Sequence, residues 1–182
     1  MPRVANDFYA TPPWCTRAIL RELRSVSLST VLDPCAGDGA ILRVVREFNP
    51  LGLCLGLEIH SVRAQLAGMS GAEVEIRDSL TAKAWPASSA IVTNPPYSLA
   101  SEFVVRALRE REGSPVIMLL RLSWLEGQER APFHRANPSD VYVLPRRPSF
   151  TGNGTDSSAY AWFVWGLTPG GNWKILEIER HV

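Results

Sequence analysis

Apolar and β-branched runs alternate along this chain with stretches of helical periodicity, and that alternation admits few folds. Residues 30–33 (TVLD), 53–58 (LCLGLE), 73–77 (EVEIR), 90–94 (AIVTN) and 115–121 (PVIMLLR) read as strands. Helical patterns lie between them. One carries Ile41, Leu42, Val45 and Phe48 and stops at Asn49-Pro50; a short one over 61–67 ends at Gly68. Another runs from a Ser98 cap to about residue 112, with Phe103, Val104, Ala107 and Leu108 inward and Glu102–Arg106 as an i,i+4 pair. Ahead of them, Thr11 is expected to cap a helix with Pro12 at its first position and Ile19, Leu20 and Leu23 as its apolar stripe. Repeated strand–helix–strand units require right-handed crossovers, so the pattern predicts an α/β fold with a mostly parallel sheet covered on both faces. The wholly apolar run at 115–121 suits the middle of such a sheet. An irregular stretch at 122–140, a strand at 141–144, a polar loop at 145–158 and strands at 160–166 and 174–178, joined by a Gly170-Gly171 turn, complete the chain.

Composition narrows the function classes. The 182 residues are 46% hydrophobic and 20% charged, which is globular and about one domain in size. No run approaches the roughly 18 apolar residues that span a membrane. The N-terminus has no apolar core of the secretory kind. Nineteen basic and 18 acidic residues leave a net charge of +1, too little for a binder held by charge alone. The basic residues are almost all arginine, lysine occurring only at Lys83 and Lys174. Cys15, Cys35 and Cys54 are isolated, with no CxxC, and His60, His134 and His181 are scattered. Neither a disulfide framework nor a metal site is expected, and a reducing, cytoplasmic setting fits.

In a parallel sheet ligands bind beyond the carboxyl ends of the strands, near the point where the strand order reverses. The chain's polar motifs sit there. DPCAGDG at 33–39 follows the first strand and opens a helix; Gly37 and Gly39 allow a tight turn, and the helix start offers amide groups. No GK[ST] follows, so this is not a phosphate loop. Glu58 ends the second strand, where a carboxylate accepts hydrogen bonds from both ribose hydroxyls of a nucleoside cofactor. Ile59 beside it offers an apolar surface to a base. Asp78, after the third strand, is placed to accept from an adenine amine. Asp33, Glu58 and Asp78 thus line one sheet edge at a spacing suited to an adenosine.

NPPY at 94–97 follows the fourth strand directly. The Asn94 amide oxygen and the Pro95 carbonyl are two acceptors that can hold an exocyclic NH2 group and aim its lone pair. Pro95 and Pro96 stiffen the loop, and Tyr97 supplies a flat face for a planar substrate.

With these residues the chain resembles the S-adenosylmethionine-dependent methyltransferases of exocyclic amino groups. It is most similar to the small phage- or prophage-type DNA adenine-N6 enzymes. FYATPPW at 8–14 resembles that family's N-terminal cofactor motif, DPCAGDG its glycine motif, NPPY its catalytic motif and RRPSFTGNGTDSSAYAWFVW at 146–165 its late motif, in the gamma order. The resemblance implies a Rossmann-like class I methyltransferase fold with a seven-stranded, mostly parallel sheet. It implies S-adenosyl-L-methionine as cofactor, held by Thr11, Asp33, Cys35, Gly37, Glu58, Ile59, Asp78 and Asn94. Asn94, Pro95, Pro96 and Tyr97 form the catalytic motif, and no metal is implied. Tyr97 and Phe150 sandwich the target base, which has to be flipped or single-stranded to reach them. Residues 1–182 are expected to be a single methyltransferase domain, with no separate target-recognition domain. Recognition of DNA then falls to 122–140 and 145–158, with Arg121, Arg130, Arg135, Arg146 and Arg147 for phosphates, or to a homodimer or partner subunit. The setting implied is a bacterial or phage-infected cell.

Other readings stay open at the level of residues. NPPY can present a protein glutamine amide, although such enzymes carry an added substrate domain. RNA bases fit the same stacking pocket. An inactive nucleic-acid-binding partner subunit would keep the fold alone, although here both motifs are intact.

Overall fold

The computed structural model describes residues 9–150, 154 and 157–178. Thirteen elements follow in order: α1 (Pro13–Glu22), β1 (Thr30–Asp33), α2 (Ala40–Phe48), β2 (Leu53–Glu58), α3 (Ser61–Met69), β3 (Glu73–Ile76), β4 (Ala90–Thr93), α4 (Ala100–Glu110), β5 (Val116–Arg121), α5 (Ala131–Ala136), β6 (Asp140–Val143), β7 (Tyr160–Trp165) and β8 (Trp173–Ile175). They build one eight-stranded sheet in the order β3-β2-β1-β4-β5-β7-β6-β8. Strands β1 to β5 are mutually parallel, and β7 alone runs against its neighbours β5 and β6. The order reverses between β1 and β4, so the carboxyl ends of these two strands open the crevice.

Alternation along β5 shows how the sheet is covered. Ile117 and Leu119 face a cluster with Ile19 and Leu20 of α1 and Ile41, Leu42 and Val45 of α2. Val116, Met118 and Leu120 face the opposite cluster, with Phe103, Val104 and Ala107 of α4. Every residue of β7 is buried. Its Trp162 indole donates to the Cys15 carbonyl at 3.0 Å, so the largest core side chain leaves no orphaned N–H.

Several local expectations change. The sheet has eight strands, not seven, because β8 pairs with the outer edge of β6 in parallel. The Gly170-Gly171 turn therefore joins strands that are not neighbours, since β6 lies between β7 and β8. Buried Asp140 organises it: Oδ1 accepts from the Asn172 backbone and side chain at 3.0 and 2.9 Å, and Oδ2 from the Thr168 hydroxyl at 2.5 Å. A Cβ on Gly170, at φ +83°, would collide with the Pro138 carbonyl. Thr11 does not cap α1; Pro12 occupies that position without a side-chain bond. Ser98 does not cap α4, because a 3-10 turn over Tyr97–Leu99 intervenes. Arg106 pairs forward with Glu110 at 3.2 Å, instead of back with Glu102, since its guanidinium also donates to the carbonyls of Leu80 (2.9 Å) and Ala82 (2.5 Å). The stretch at 122–140 holds a 3-10 turn, Leu122–Leu125, and α5. Among the described residues no helix is long and apolar enough to cross a membrane.

Candidate active site

A cleft of about 670 Å³ opens over the ends of β1, β2, β3 and β4. It brings together Thr11, Asp33, Cys35, Gly37, Glu58, Ile59, Asp78 and Asn94, with Pro96 at its rim. Residues 33–38 and Ala40 line it. Gly37 and Gly39 take φ of +54° and +82°. A Cβ on Gly39 would stand 2.9 Å from the Ala67 backbone, so this glycine lets α2 begin against α3.

The glycine turn uses its amides within itself and on the end of β2. Cys35 N–H donates to Asp33 Oδ1 at 3.0 Å, Ala36 N–H to the Leu57 carbonyl at 3.0 Å, and Ala40 N–H to Asp38 Oδ1 at 3.1 Å. The Gly37 amide donates to Glu58 Oε2 at 2.9 Å. These four amides are thereby used within the protein, and the cleft instead presents carboxylates. Glu58 is buried, and its other oxygen accepts from His60 N–H at 2.9 Å. Each oxygen retains acceptor capacity beyond its single amide bond. Asp78 Oδ1 accepts from Leu80 N–H at 2.9 Å. Asp33 is buried and accepts from the Thr93 hydroxyl at 2.6 Å; burial nevertheless pushes its carboxyl up to about 7, with Glu58 and Asp38 adding to the rise. Burial also pushes the Cys35 thiol well above its usual range, which leaves it protonated and a poor nucleophile. Such a cleft favours a ligand with hydroxyls and positive charge. No group of three or more His, Cys, Asp or Glu among the described residues could hold a metal ion.

After β4, Asn94 Nδ2 donates to Thr11 Oγ1 at 3.0 Å and to the Tyr9 carbonyl at 3.3 Å. Its Oδ1 is buried and has no partner. Leaving such an acceptor unmet costs about 1–3 kcal/mol, an expense that a ligand N–H would relieve. Pro95 is buried within the turn. Tyr97 does not line the cleft itself. Its ring belongs to an aromatic group beside it: Tyr9 lies 6.0 Å away at 20°, Tyr160 at 5.3 Å and Phe150 at 6.2 Å and 59°. The Arg121 guanidinium sits 5.0 Å from the Tyr97 ring centre, and its Nε donates to the Tyr160 hydroxyl at 3.3 Å.

The expected phosphate-binding arginines divide. Arg121 is committed to these aromatic rings. Arg130 donates to the carbonyls of Trp124 at 3.0 Å, Ser123 at 3.4 Å and Glu126 at 2.5 Å, so it braces its own loop. Arg146 lies over the Trp14 ring at 4.7 Å and, like Arg135 and Arg147, is exposed. Residues 151–153 and 155–156 of the late loop, Phe8 and His181 fall outside the described residues. Tyr9, Tyr160 and Thr93 are among the site residues that the sequence did not single out. FYATPPW held the signal for Tyr9, but only the fold brings it to Asn94.

By sequence the chain matches no family model and no curated protein. Solved structures do resemble it. The methyltransferase subunit of a type I restriction-modification system from Streptococcus thermophilus is 17% identical, with a TM-score of 0.69 over 87% of this chain and 44% of that one. A protein from Listeria monocytogenes described as a class I S-adenosylmethionine-dependent methyltransferase is 14% identical, with a TM-score of 0.70 over 89% and 61%. One from Pyrococcus horikoshii described as an RNA methyltransferase is 14% identical, with a TM-score of 0.69 over 91% and 90%. The chain thus spans under two thirds of the length of the first two. Their common ground with it is architecture, and the chain has the Rossmann-like fold of class I methyltransferases.

Proposed function

We propose that the protein is an S-adenosylmethionine-dependent methyltransferase acting on the exocyclic amine of adenine in DNA. The observation that carries this reading is the buried, unpartnered Asn94 Oδ1 in a cleft along which Asp33, Glu58 and Asp78 follow in turn at the ends of β1, β2 and β3. Those acids suit the cofactor. Glu58 would take the ribose hydroxyls, Asp78 the adenine amine and Ile59 the face of that base, while Asp33 would face the cationic end with Cys35, Gly37 and Thr11 nearby. When bound, the cofactor supplies a methyl group on a sulfonium, a strong electrophile. The protein's part is alignment. Asn94 Oδ1 and the Pro95 carbonyl would accept the two amine hydrogens and direct the nitrogen lone pair into the cleft. Pro96 limits movement of the turn.

Tyr97 and Phe150 would flank the target ring. A base stacked on both needs faces about 7 Å apart, two van der Waals contacts. The rings now lie closer, at a tilt, and in contact with Tyr9. The reading therefore includes movement of Tyr9 or Phe150 as the base enters. Exposed Arg135, Arg146 and Arg147 would meet phosphates, and a homodimer or partner subunit could supply target specificity. The restriction-modification subunit among the fold neighbours supports DNA; the RNA methyltransferase described among them makes RNA the second reading.

Labelled methyl transfer to duplex DNA, single-stranded DNA, RNA and a glutamine-bearing protein, followed by mass spectrometry of the hydrolysed products, tests this. N6-methyladenine from DNA is the expected product. Label only on cytosine, on RNA or on glutamine would replace the substrate assignment. A separate expectation concerns Glu58→Ala, which removes charge-assisted bonds of about 1.5–3 kcal/mol. Cofactor affinity measured by calorimetry should fall roughly tenfold or more. A folded variant with unchanged affinity would take Glu58 out of that role.

A further inference from the structure

Residues 9–11 grip the NPPY turn at three points. The Tyr9 ring stacks near-parallel on Tyr97, and the Tyr9 carbonyl and the Thr11 hydroxyl oxygen both accept from Asn94 Nδ2. Thr11 is 4% exposed and serves no helix cap, so its hydroxyl is free for another task. Asn94 Oδ1 meanwhile has no partner.

A carboxamide is almost the same shape either way round, and only its hydrogen-bond partners decide which end points where. A threonine hydroxyl is ambiguous, since it donates and accepts. A backbone carbonyl only accepts. The Tyr9 carbonyl therefore requires the NH2 end, and Thr11 then takes an N–H from the same nitrogen at the shorter distance. With the nitrogen held against the N-terminal segment, the oxygen is left on the opposite side, unpaired. We propose that Thr11 is a positioning residue: by accepting from Asn94 Nδ2 it fixes the amide so that Oδ1 is presented for a substrate N–H. This differs from the cofactor contact that the resemblance implies for Thr11. Its activity readout rests on the proposed amine methylation; its spectroscopic readout does not.

Thr11→Val removes the acceptor at nearly constant volume, and Thr11→Ser restores it. The expected result for Thr11→Val is a kcat lowered roughly tenfold, with substrate KM and cofactor Kd within about twofold of the parent. Thr11→Ser should recover most of the loss. In an Asn94→Ala background Thr11→Val should add nothing, because the group it positions is gone. The Asn94 side-chain NH2 signals, identified in NMR by their loss in Asn94→Ala, should shift and exchange faster in Thr11→Val but not in Thr11→Ser. If Thr11→Val does not fold, Thr11→Ala makes the same test. An unchanged kcat with unmoved Asn94 signals would overturn the proposal. So would a loss of cofactor affinity with full kcat at saturation, which would return Thr11 to the cofactor. Should no acceptor be methylated at all, the functional reading fails while the Asn94 signals still decide the role of Thr11.

Discussion

Asn94→Ala should lower methyl transfer on the order of 10²–10³-fold in kcat while leaving cofactor affinity close to that of the parent. The magnitude is that of removing one preorganised group aimed at the reacting centre. The asymmetry follows from the geometry. Asn94 follows β4, two strands from Glu58 on β2 and three from Asp78 after β3, and its one unmet atom is an acceptor. A target amine has N–H bonds for it, whereas on the proposed reading the ribose and base of the cofactor would meet Glu58 and Asp78. Asn94→Asp provides a sharper control. It keeps an oxygen toward the substrate but sets a second oxygen against the Tyr9 carbonyl, which can only accept and needs a donor there. It should therefore remain impaired although it preserves the acceptor. Single-turnover rates and calorimetric affinities, each on variants with parental circular dichroism, separate the two effects. Near-parental turnover in Asn94→Ala would end the catalytic assignment.

What could be read from the sequence was whatever depends on neighbours in the chain. The apolar run of β5 shows itself because both its faces are covered. Asp33, Glu58 and Asp78 could be placed because strand ends in a parallel sheet converge on one edge. The partners of these groups were less legible. Asn94 meets Thr11 across 83 residues, and neither spacing nor periodicity signals that bond. Thr11 instead looked like a helix cap, a local role that Pro12 turned out to fill. Arg130 looked free for phosphate because its stretch reads as irregular; in the fold it is absorbed by three carbonyls of that stretch. Helix α5 was missed because it is only six residues long and has Pro132 near its start. The placement of β8 beyond β6 depends on the buried Asp140 network, which no local pattern discloses.

The second large effect concerns Asp33 and pH. Its carboxyl is pushed up to about 7 in the folded protein, chiefly by burial. In the unfolded chain an aspartate titrates near 3.9. Between these values the folded state holds a proton that the unfolded state has released. Stability from this group is therefore fully present at about pH 4 and below, and is lost as pH rises through about 7. The loss is at most about 4 kcal/mol, from roughly 1.4 kcal/mol for each pKa unit. Asp33→Asn keeps an oxygen for the Thr93 hydroxyl and the Cys35 amide, but cannot ionise. Urea unfolding from pH 4.5 to 8.5 should show the variant gaining on the parent as pH rises, with the gap widest above pH 7. A cationic ligand should act in the opposite sense, because it favours the anion that burial disfavours. On the proposed reading, S-adenosylmethionine affinity in the parent should rise between pH 6 and 8, and in Asp33→Asn it should be weaker and flat. Parallel stability curves for the two proteins would show that Asp33 titrates as an ordinary carboxylate. If only the affinity profile failed to change, Asp33 would be a strained group of the fold and not a contact of the cofactor's charge.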